Sequence, residues 1–152
     1  MAQSGYELVY GGSNLGLMGE VSGAALEAGG RVVGVIPTLF GEAVIGSQPG
    51  VEVVRVGSMA ERKVRIMAMA DVFVALPGGI GTLDEVSEVM VANQLGQMSK
   101  PLYLLNMGGF FEPFLEQLRV MREAGFVREG AEAALRVVAD VEACVAGIGE
   151  EE

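Results

Sequence analysis

The 152-residue sequence contains no histidine and only one cysteine, Cys144. The absence of histidine excludes Ser-His-Asp and Cys-His catalysis and removes the commonest zinc ligand. A single cysteine cannot form an internal disulfide, which favours a reducing, cytoplasmic compartment. Since Cys144 lies in an apolar C-terminal segment, we interpret it as a small buried hydrophobic side chain.

Basic residues are also scarce, with 10 Lys and Arg against 20 Asp and Glu, and the formal net charge is −10 at pH 7. This balance opposes non-specific binding to nucleic acid, so an anionic ligand must meet a local positive cluster. No apolar run is long enough to span a bilayer, and the N-terminus lacks the basic and apolar regions of a signal peptide. We expect neither nucleic acid nor a membrane as a partner.

Hydrophobic residues make up 51% of the chain and charged residues 20%, which excludes a disordered chain. The length predicts a single domain over residues 1–152. The 23 glycines are too many for a helical bundle and favour an α/β fold with many tight turns.

The hydrophobic pattern predicts five strands and five helices along the chain. The predicted strands are 7–10, 31–36, 51–56, 72–76 and 101–105. The predicted helices are 18–28, 58–70, 82–94, 110–124 and 141–146. Residues 38–50 are predicted to be a long loop, and 137–139 a terminal strand or turn.

The most informative stretch is 72–85, where five apolar residues predict a strand buried on both faces. Pro77 then ends the strand. Three glycines follow that can take positive φ and approach a ligand closely, namely Gly78, Gly79 and Gly81. Thr82 can cap the next helix, whose N-terminal N–H groups and dipole would hold an anion. A strand-to-helix turn needs glycine in any case, and Thr82 with Glu85 is also an ordinary capping box.

A second candidate lies in the helix over 58–70, which Ser58 opens with a capping box to Glu61. The helical period places Arg62 on the inward face, with Lys63 flanking that face. An inward guanidinium is costly unless it meets an anion. Arg62 therefore has either a buried carboxylate partner or a ligand phosphate.

Three segments together, 10–19, 59–63 and 77–85, resemble the Lonely Guy family of cytokinin riboside 5′-monophosphate phosphoribohydrolases. Members of this family are often mislabelled lysine decarboxylases. The resemblance implies a Rossmann-like three-layer sandwich with a mostly parallel sheet. It also implies a homodimer, and a phosphoribohydrolase of this kind is expected to use no metal and no redox cofactor. The implied reaction is hydrolysis of the N-glycosidic bond of an adenosine monophosphate-type nucleotide, releasing the free base and ribose 5-phosphate.

Carried over by position, the resemblance assigns roles to individual residues. Arg62 and Glu85 match the catalytic pair of the family. The phosphate-binding turn of the family is matched by Gly78, Gly79, Gly81 and Thr82. The other two segments contain the further substrate-binding candidates Gly12, Met59 and Lys63. A carboxylate at Glu85 suits this reaction, because breaking the bond develops positive charge on the sugar. As a capping residue Glu85 would instead point back at its own backbone.

The sequence departs from the family pattern at Ala60, where histidine is common, and at Ser13, where a third glycine is common. Family members also usually carry one more strand and helix before the segment at 7–10, and that strand tends to be central in the sheet. We expect this part to be truncated here or supplied by a partner subunit. Whether the base carries an isoprenoid group or is plain adenine stays open.

Two other functions are compatible with parts of the pattern. A non-catalytic nucleotide or molybdenum-cofactor carrier could share the fold, although the Arg62 and Glu85 pair argues against it. A decarboxylase would need a lysine to form a Schiff base with pyridoxal phosphate. The only lysines, Lys63 and Lys100, have no sequence context that favours this cofactor.

Overall fold

The computed structural model describes residues 1–39, 48–128 and 132–150. The chain divides into two compact units, Met1–Ala70 and Asp71–Glu152, which are described separately below. The single domain expected from the length stays a prediction. The long loop expected at 38–50 falls mainly on residues 40–47, which lie outside the described residues.

In the described part of the first unit, three parallel strands lie in the order β1-β2-β3, together with two α-helices. Its elements are β1 (Leu8–Tyr10), α1 (Gly16–Glu27), β2 (Val32–Pro37), β3 (Glu52–Val56) and α2 (Met59–Met69), after a short 3₁₀ turn at Ala2–Ser4. All six residues of β2 are buried, because this strand pairs with β1 on one side and β3 on the other. The continuous apolar run of β2 is the pattern expected of a central parallel strand.

The helix α2 packs against the three strands of this unit. Its predicted capping box is confirmed, since the Glu61 N–H donates to Ser58 Oγ at 3.1 Å. Glu61 Oε2 in turn accepts a hydrogen bond from the Gly57 N–H at 2.7 Å. These two bonds satisfy N–H groups at the helix start that have no acceptor within the helix.

Among the described residues of the second unit, three parallel strands lie in the order β4-β5-β6, together with three α-helices. Its elements are β4 (Phe73–Ala75), α3 (Ile80–Gln94), β5 (Leu102–Leu105), α4 (Glu112–Glu123), β6 (Leu135–Val138) and α5 (Val141–Glu150), with a 3₁₀ turn at Met107–Gly109. The central strand β5 is fully buried. Residues 137–139 were predicted to be a terminal strand or turn. The structure has a strand there, β6, which pairs with β5.

The prediction that residues 72–76 form a strand buried on both faces is wrong. The strand β4 has three residues, of which only Ala75 is buried and Val74 is 37% exposed. The physical reason is the position of β4 at an edge of the sheet in its unit. Apolar composition alone does not distinguish such a strand from a central one.

The helix predicted at 110–124 from its apolar period is confirmed, although it begins at Glu112. Phe111, just before its first residue, is 1% exposed, and Leu118 is also buried. Both units combine a parallel sheet with helices that follow its strands in the chain, which confirms the α/β, Rossmann-like fold. Within the described ranges, no helix combines the length and apolar character needed to cross a membrane.

Candidate active site

The turn after β4 leads directly into α3. Gly79 is the N-cap, with extended backbone angles (φ −95°, ψ −156°), and as a glycine it has no side chain with which to cap the helix. The Gly79 carbonyl accepts the N–H groups of Thr82 at 3.1 Å and Leu83 at 3.2 Å. The first N–H groups of a helix have no acceptor within it, and they point out of the N-terminus with the positive end of the dipole. Ile80 and Gly81 are the first helical residues here.

The prediction that Thr82 caps this helix is wrong. The helix begins two residues earlier than expected, at Ile80, so Thr82 is its third residue. Glu85 consequently lies in the second turn, where it cannot complete a capping box with Thr82. The reason is that Gly79 adopts the extended conformation of a cap without needing a side chain.

The glycines of this turn also differ from the prediction, since none of Gly78, Gly79 and Gly81 has a positive φ. At Gly78 an added Cβ would lie 2.2 Å from Thr82 Oγ1, so internal packing requires glycine there. At Gly79 and Gly81 an added Cβ would meet no atom within 4 Å. Internal packing does not explain these two glycines, and they leave open space at the start of α3.

Glu85 is half-buried in α3, four residues after Gly81. At 100° per residue it lies 40° around the helix from Gly81 and 60° from Thr82. The carboxylate therefore belongs to the side of α3 that also presents these two residues. The structure thus brings Glu85, Gly81 and Thr82 together on one side of the helix start.

Arg62 belongs to the first unit, where it is half-buried on α2. Its Nε donates to the Val35 carbonyl of β2 at 3.3 Å, which confirms the predicted inward placement. A Cβ added to Gly11 would lie 1.9 Å from Arg62 Nη2 and 3.0 Å from Cζ. The guanidinium therefore lies against the backbone of Gly11, the residue that follows β1.

The remaining candidates are also in the first unit. Lys63 is half-buried on α2, and Met59 is exposed at the start of that helix. Gly12 is buried with φ +81°, and an added Cβ would lie 2.3 Å from the Ile36 side chain. Backbone conformation and packing thus require glycine at this position. A substrate contact by Gly12, Met59 or Lys63 stays a prediction.

Two groups that contact Arg62 were not predicted from the sequence, namely Gly11 and the Val35 carbonyl. The pair Gly11-Gly12 after a predicted strand was visible, but the pattern does not tell which glycine serves which purpose. The Val35 carbonyl carries no sequence signal at all, because every residue has one.

Away from this site, ion pairs of the second unit lie on the surface of α4. The Arg119 guanidinium donates hydrogen bonds to the carboxylates of Glu116 and Glu123, which raises the pKa of Arg119 above its ordinary value. Accepting from Arg119 lowers the pKa of Glu116 below its ordinary value. All three side chains are exposed, so these pairs belong to a solvated helix surface.

Parallel strand-helix units, with a glycine turn opening α3 at the carboxyl end of β4, define a Rossmann-like α/β protein. Within this class, the family described as "Possible lysine decarboxylase" matches residues 18–148. The chain belongs to this family, and the resemblance to the Lonely Guy proteins is confirmed.

Two curated relatives are named cytokinin riboside 5′-monophosphate phosphoribohydrolase. The protein from Rhodococcoides fascians is 38% identical over 149 residues, covering 97% of this chain and 75% of the relative. The protein from Oryza sativa subsp. japonica is 44% identical over 131 residues, covering 86% of this chain and 54% of the relative. The chain thus spans about half the length of the rice relatives it matches.

Two solved structures share the fold. A molybdenum cofactor binding protein from Rippkaea orientalis has a TM-score of 0.70 and 26% identity, covering 98% of this chain and 79% of that one. The molybdenum cofactor carrier protein from Chlamydomonas reinhardtii has a TM-score of 0.65 and 28% identity, with the same coverages of 98% and 79%.

Proposed function

We propose that this protein hydrolyses the N-glycosidic bond of adenosine 5′-monophosphate or an N6-substituted derivative, as a cytokinin-activating phosphoribohydrolase does. The observation that carries the proposal is the start of α3. There a helix N-terminus without a side-chain cap, flanked by open space at Gly79 and Gly81, has the Glu85 carboxylate one turn further on. The names of the relatives supply the substrate class.

In this proposal the turn at 78–82 binds the 5′-phosphate. Backbone N–H groups and the positive helix end attract an anion, and the missing side chains at Gly79 and Gly81 allow it to approach the backbone. Thr82 adds a hydroxyl beside Gly78 that can donate a further hydrogen bond. A chain with a net charge of −10 needs such a local site to hold a phosphate.

Glu85 acts on the sugar. The bond between C1′ and the base nitrogen breaks, and its electron pair leaves with the base. The carboxylate stabilises the positive charge that develops at C1′ and positions the attacking water. The water oxygen bonds to C1′ and one water proton ends on the released base, which gives adenine or its derivative and ribose 5-phosphate.

Arg62 contributes a permanently charged guanidinium, which binds phosphate or ribose oxygens through two parallel hydrogen bonds and fixes the substrate geometry. Lys63, Met59 and Gly12 are proposed as further substrate contacts. The proposal also includes a homodimer, a cytoplasmic location and no metal or cofactor.

The proposal is tested by chromatographic assay of free-base release from adenosine monophosphate and its isopentenyl derivative. Glu85→Gln and Arg62→Ala are each expected to lower kcat/KM at least about a hundredfold, the scale of losing a positioned catalytic group. Arg65→Ala is the matched control for Arg62→Ala, since Arg65 lies exposed on the same helix, α2. This variant should keep the wild-type rate. Full activity in Glu85→Gln would overturn the assignment.

A second candidate function is a carrier that binds a nucleotide-like cofactor without turnover. The similarity to the two molybdenum cofactor proteins favours it. Their identities of 26% and 28% are lower than the 38% shared with the R. fascians hydrolase, so hydrolysis is the better-supported function. The same assay separates the two, because a carrier would retain its ligand and release no base.

A further inference from the structure

We propose that Gly11 is a positioning residue for Arg62: the missing side chain at Gly11 creates the place in which the guanidinium lies. The positioning claim stands on the geometry of the first unit. Its consequence for catalysis rests on the proposed function.

The contact between the two residues leaves no room for a side chain. A Cβ on Gly11 would lie 1.9 Å from Arg62 Nη2 and 3.0 Å from Cζ, with Met18 Sδ at 3.3 Å. A separation of 1.9 Å between non-bonded heavy atoms is impossible, since such atoms have their optimum at about 3.5–4.0 Å. The atom in conflict is the end of a long, flexible side chain, so the guanidinium moves and the backbone stays.

The backbone itself does not require glycine at this position. Gly11 is not among the residues with positive φ, so an alanine could adopt its conformation. Its neighbour Gly12 differs, with φ +81° and the Ile36 side chain 2.3 Å from where a Cβ would be. Glycine is therefore needed at position 12 for the backbone conformation and the packing of the fold, and at position 11 to leave room for the Arg62 guanidinium.

A second contact fixes the direction of the guanidinium. Arg62 Nε donates to the Val35 carbonyl at 3.3 Å, while its Nη2 end lies over Gly11. Gly11 is the first residue after β1, at the carboxyl end of the strands of the first unit. Ligands of open α/β sheets bind at this end, so the arrangement holds a cation where an anionic substrate would arrive.

The experiment compares Gly11→Ala with wild type and with Gly149→Ala, using the full chain. Gly149 is a matched control because it lies exposed in α5, where an added Cβ would meet no atom within 4 Å. The primary measurement is the NMR signal of the Arg62 Nε–H group, identified by its disappearance in Arg62→Lys. In Gly11→Ala we expect this signal to shift and its exchange with water to accelerate at least about tenfold as the bond to Val35 is lost. In Gly149→Ala it should not change.

Stability and kinetics complete the test. Gly11→Ala should keep the thermal midpoint of wild type, whereas Gly12→Ala should lower it. If the proposed function holds, Gly11→Ala lowers kcat/KM for base release about a hundredfold, the scale expected when a positioned group moves by about 1 Å. The same change in an Arg62→Ala background should have less than about a twofold effect, because the group it displaces is already absent.

The outcomes separate the two claims. An unchanged Arg62 Nε–H signal in Gly11→Ala overturns the positioning role, and so does a loss of stability equal to that of Gly12→Ala. If wild type releases no base, the proposed function fails, and the NMR comparison still decides whether Gly11 positions Arg62.

Discussion

At the scale of single residues, glycines that look equivalent in the sequence have different reasons to be glycine. Gly12 needs its positive φ, and Gly78 is needed because Thr82 Oγ1 lies where a side chain would go. Gly79 and Gly81 have no such internal reason. At these two glycines a ligand has room to approach the backbone at the start of α3, and only the structure distinguishes them from the glycines that packing requires.

Cys144 gives a prediction at this scale. Its side chain is 4% exposed, and burial raises the pKa of its thiol. A higher pKa leaves less thiolate at a given pH, and burial also blocks the reagent. We expect native protein to react with a disulfide reagent at pH 8 about a hundredfold more slowly than protein unfolded in guanidinium chloride. Equal rates in the two states would contradict the burial of this residue.

The environment of a single residue could be predicted from the sequence where it depends on neighbouring residues in the chain, and not where it depends on distant ones. The interpretation of Cys144 as a buried hydrophobic side chain is confirmed. It was predictable because the residues of an apolar segment are usually buried. The inward placement of Arg62 followed equally from the helical period of α2. The contacts of Arg62 with Gly11 and the Val35 carbonyl were not predictable, because they join residues 51 and 27 positions apart in the sequence.

At the scale of elements, the residue at which α3 begins determines whether the turn after β4 can bind an anion. A helix that begins at Ile80 with a glycine cap has no cap side chain to accept from its first N–H groups, whereas a threonine cap would accept from one of them. The corrected start therefore favours the anion site more than the predicted start did.

Gly81→Ala tests this role of α3. Alanine suits a helix better than glycine by up to about 1 kcal/mol, and nothing within 4 Å opposes the added Cβ. The thermal midpoint should therefore stay the same or rise. The methyl group would occupy space proposed for the phosphate, so KM for adenosine monophosphate should increase at least about tenfold.

The control for this prediction is again Gly149→Ala, a helical glycine with equally open surroundings. It should leave KM unchanged. An unchanged KM in Gly81→Ala, with turnover intact, would mean that the phosphate does not approach this end of α3.

The boundaries of an element were predicted accurately where the residues within it and at its ends mark where it starts and stops. The boundaries of β2, β5 and α2 each came within about one residue, because continuous apolar runs and a capping box mark them in the sequence. The burial of β4 was overestimated because edge position depends on strand order. The helix α5 extends to Glu150, beyond the predicted end at 146, although Gly147 and Gly149 have low helix propensity.

At the scale of the whole molecule, composition and motifs predicted an α/β fold and the family, and both are confirmed. A net charge of −10 opposes every anionic ligand at long range. Binding of a nucleotide must therefore come from contacts made at short range with its phosphate.

The most direct test of the central claim compares kcat/KM for base release from adenosine 5′-monophosphate and from adenosine. The two substrates differ only in the phosphate. Two charge-assisted hydrogen bonds at about 1.5 kcal/mol each correspond to a preference of about a hundredfold for the nucleotide. The account predicts that ratio or more, with release lost in Glu85→Gln. Equal rates for the two substrates, or release of base that does not depend on Glu85, would contradict it.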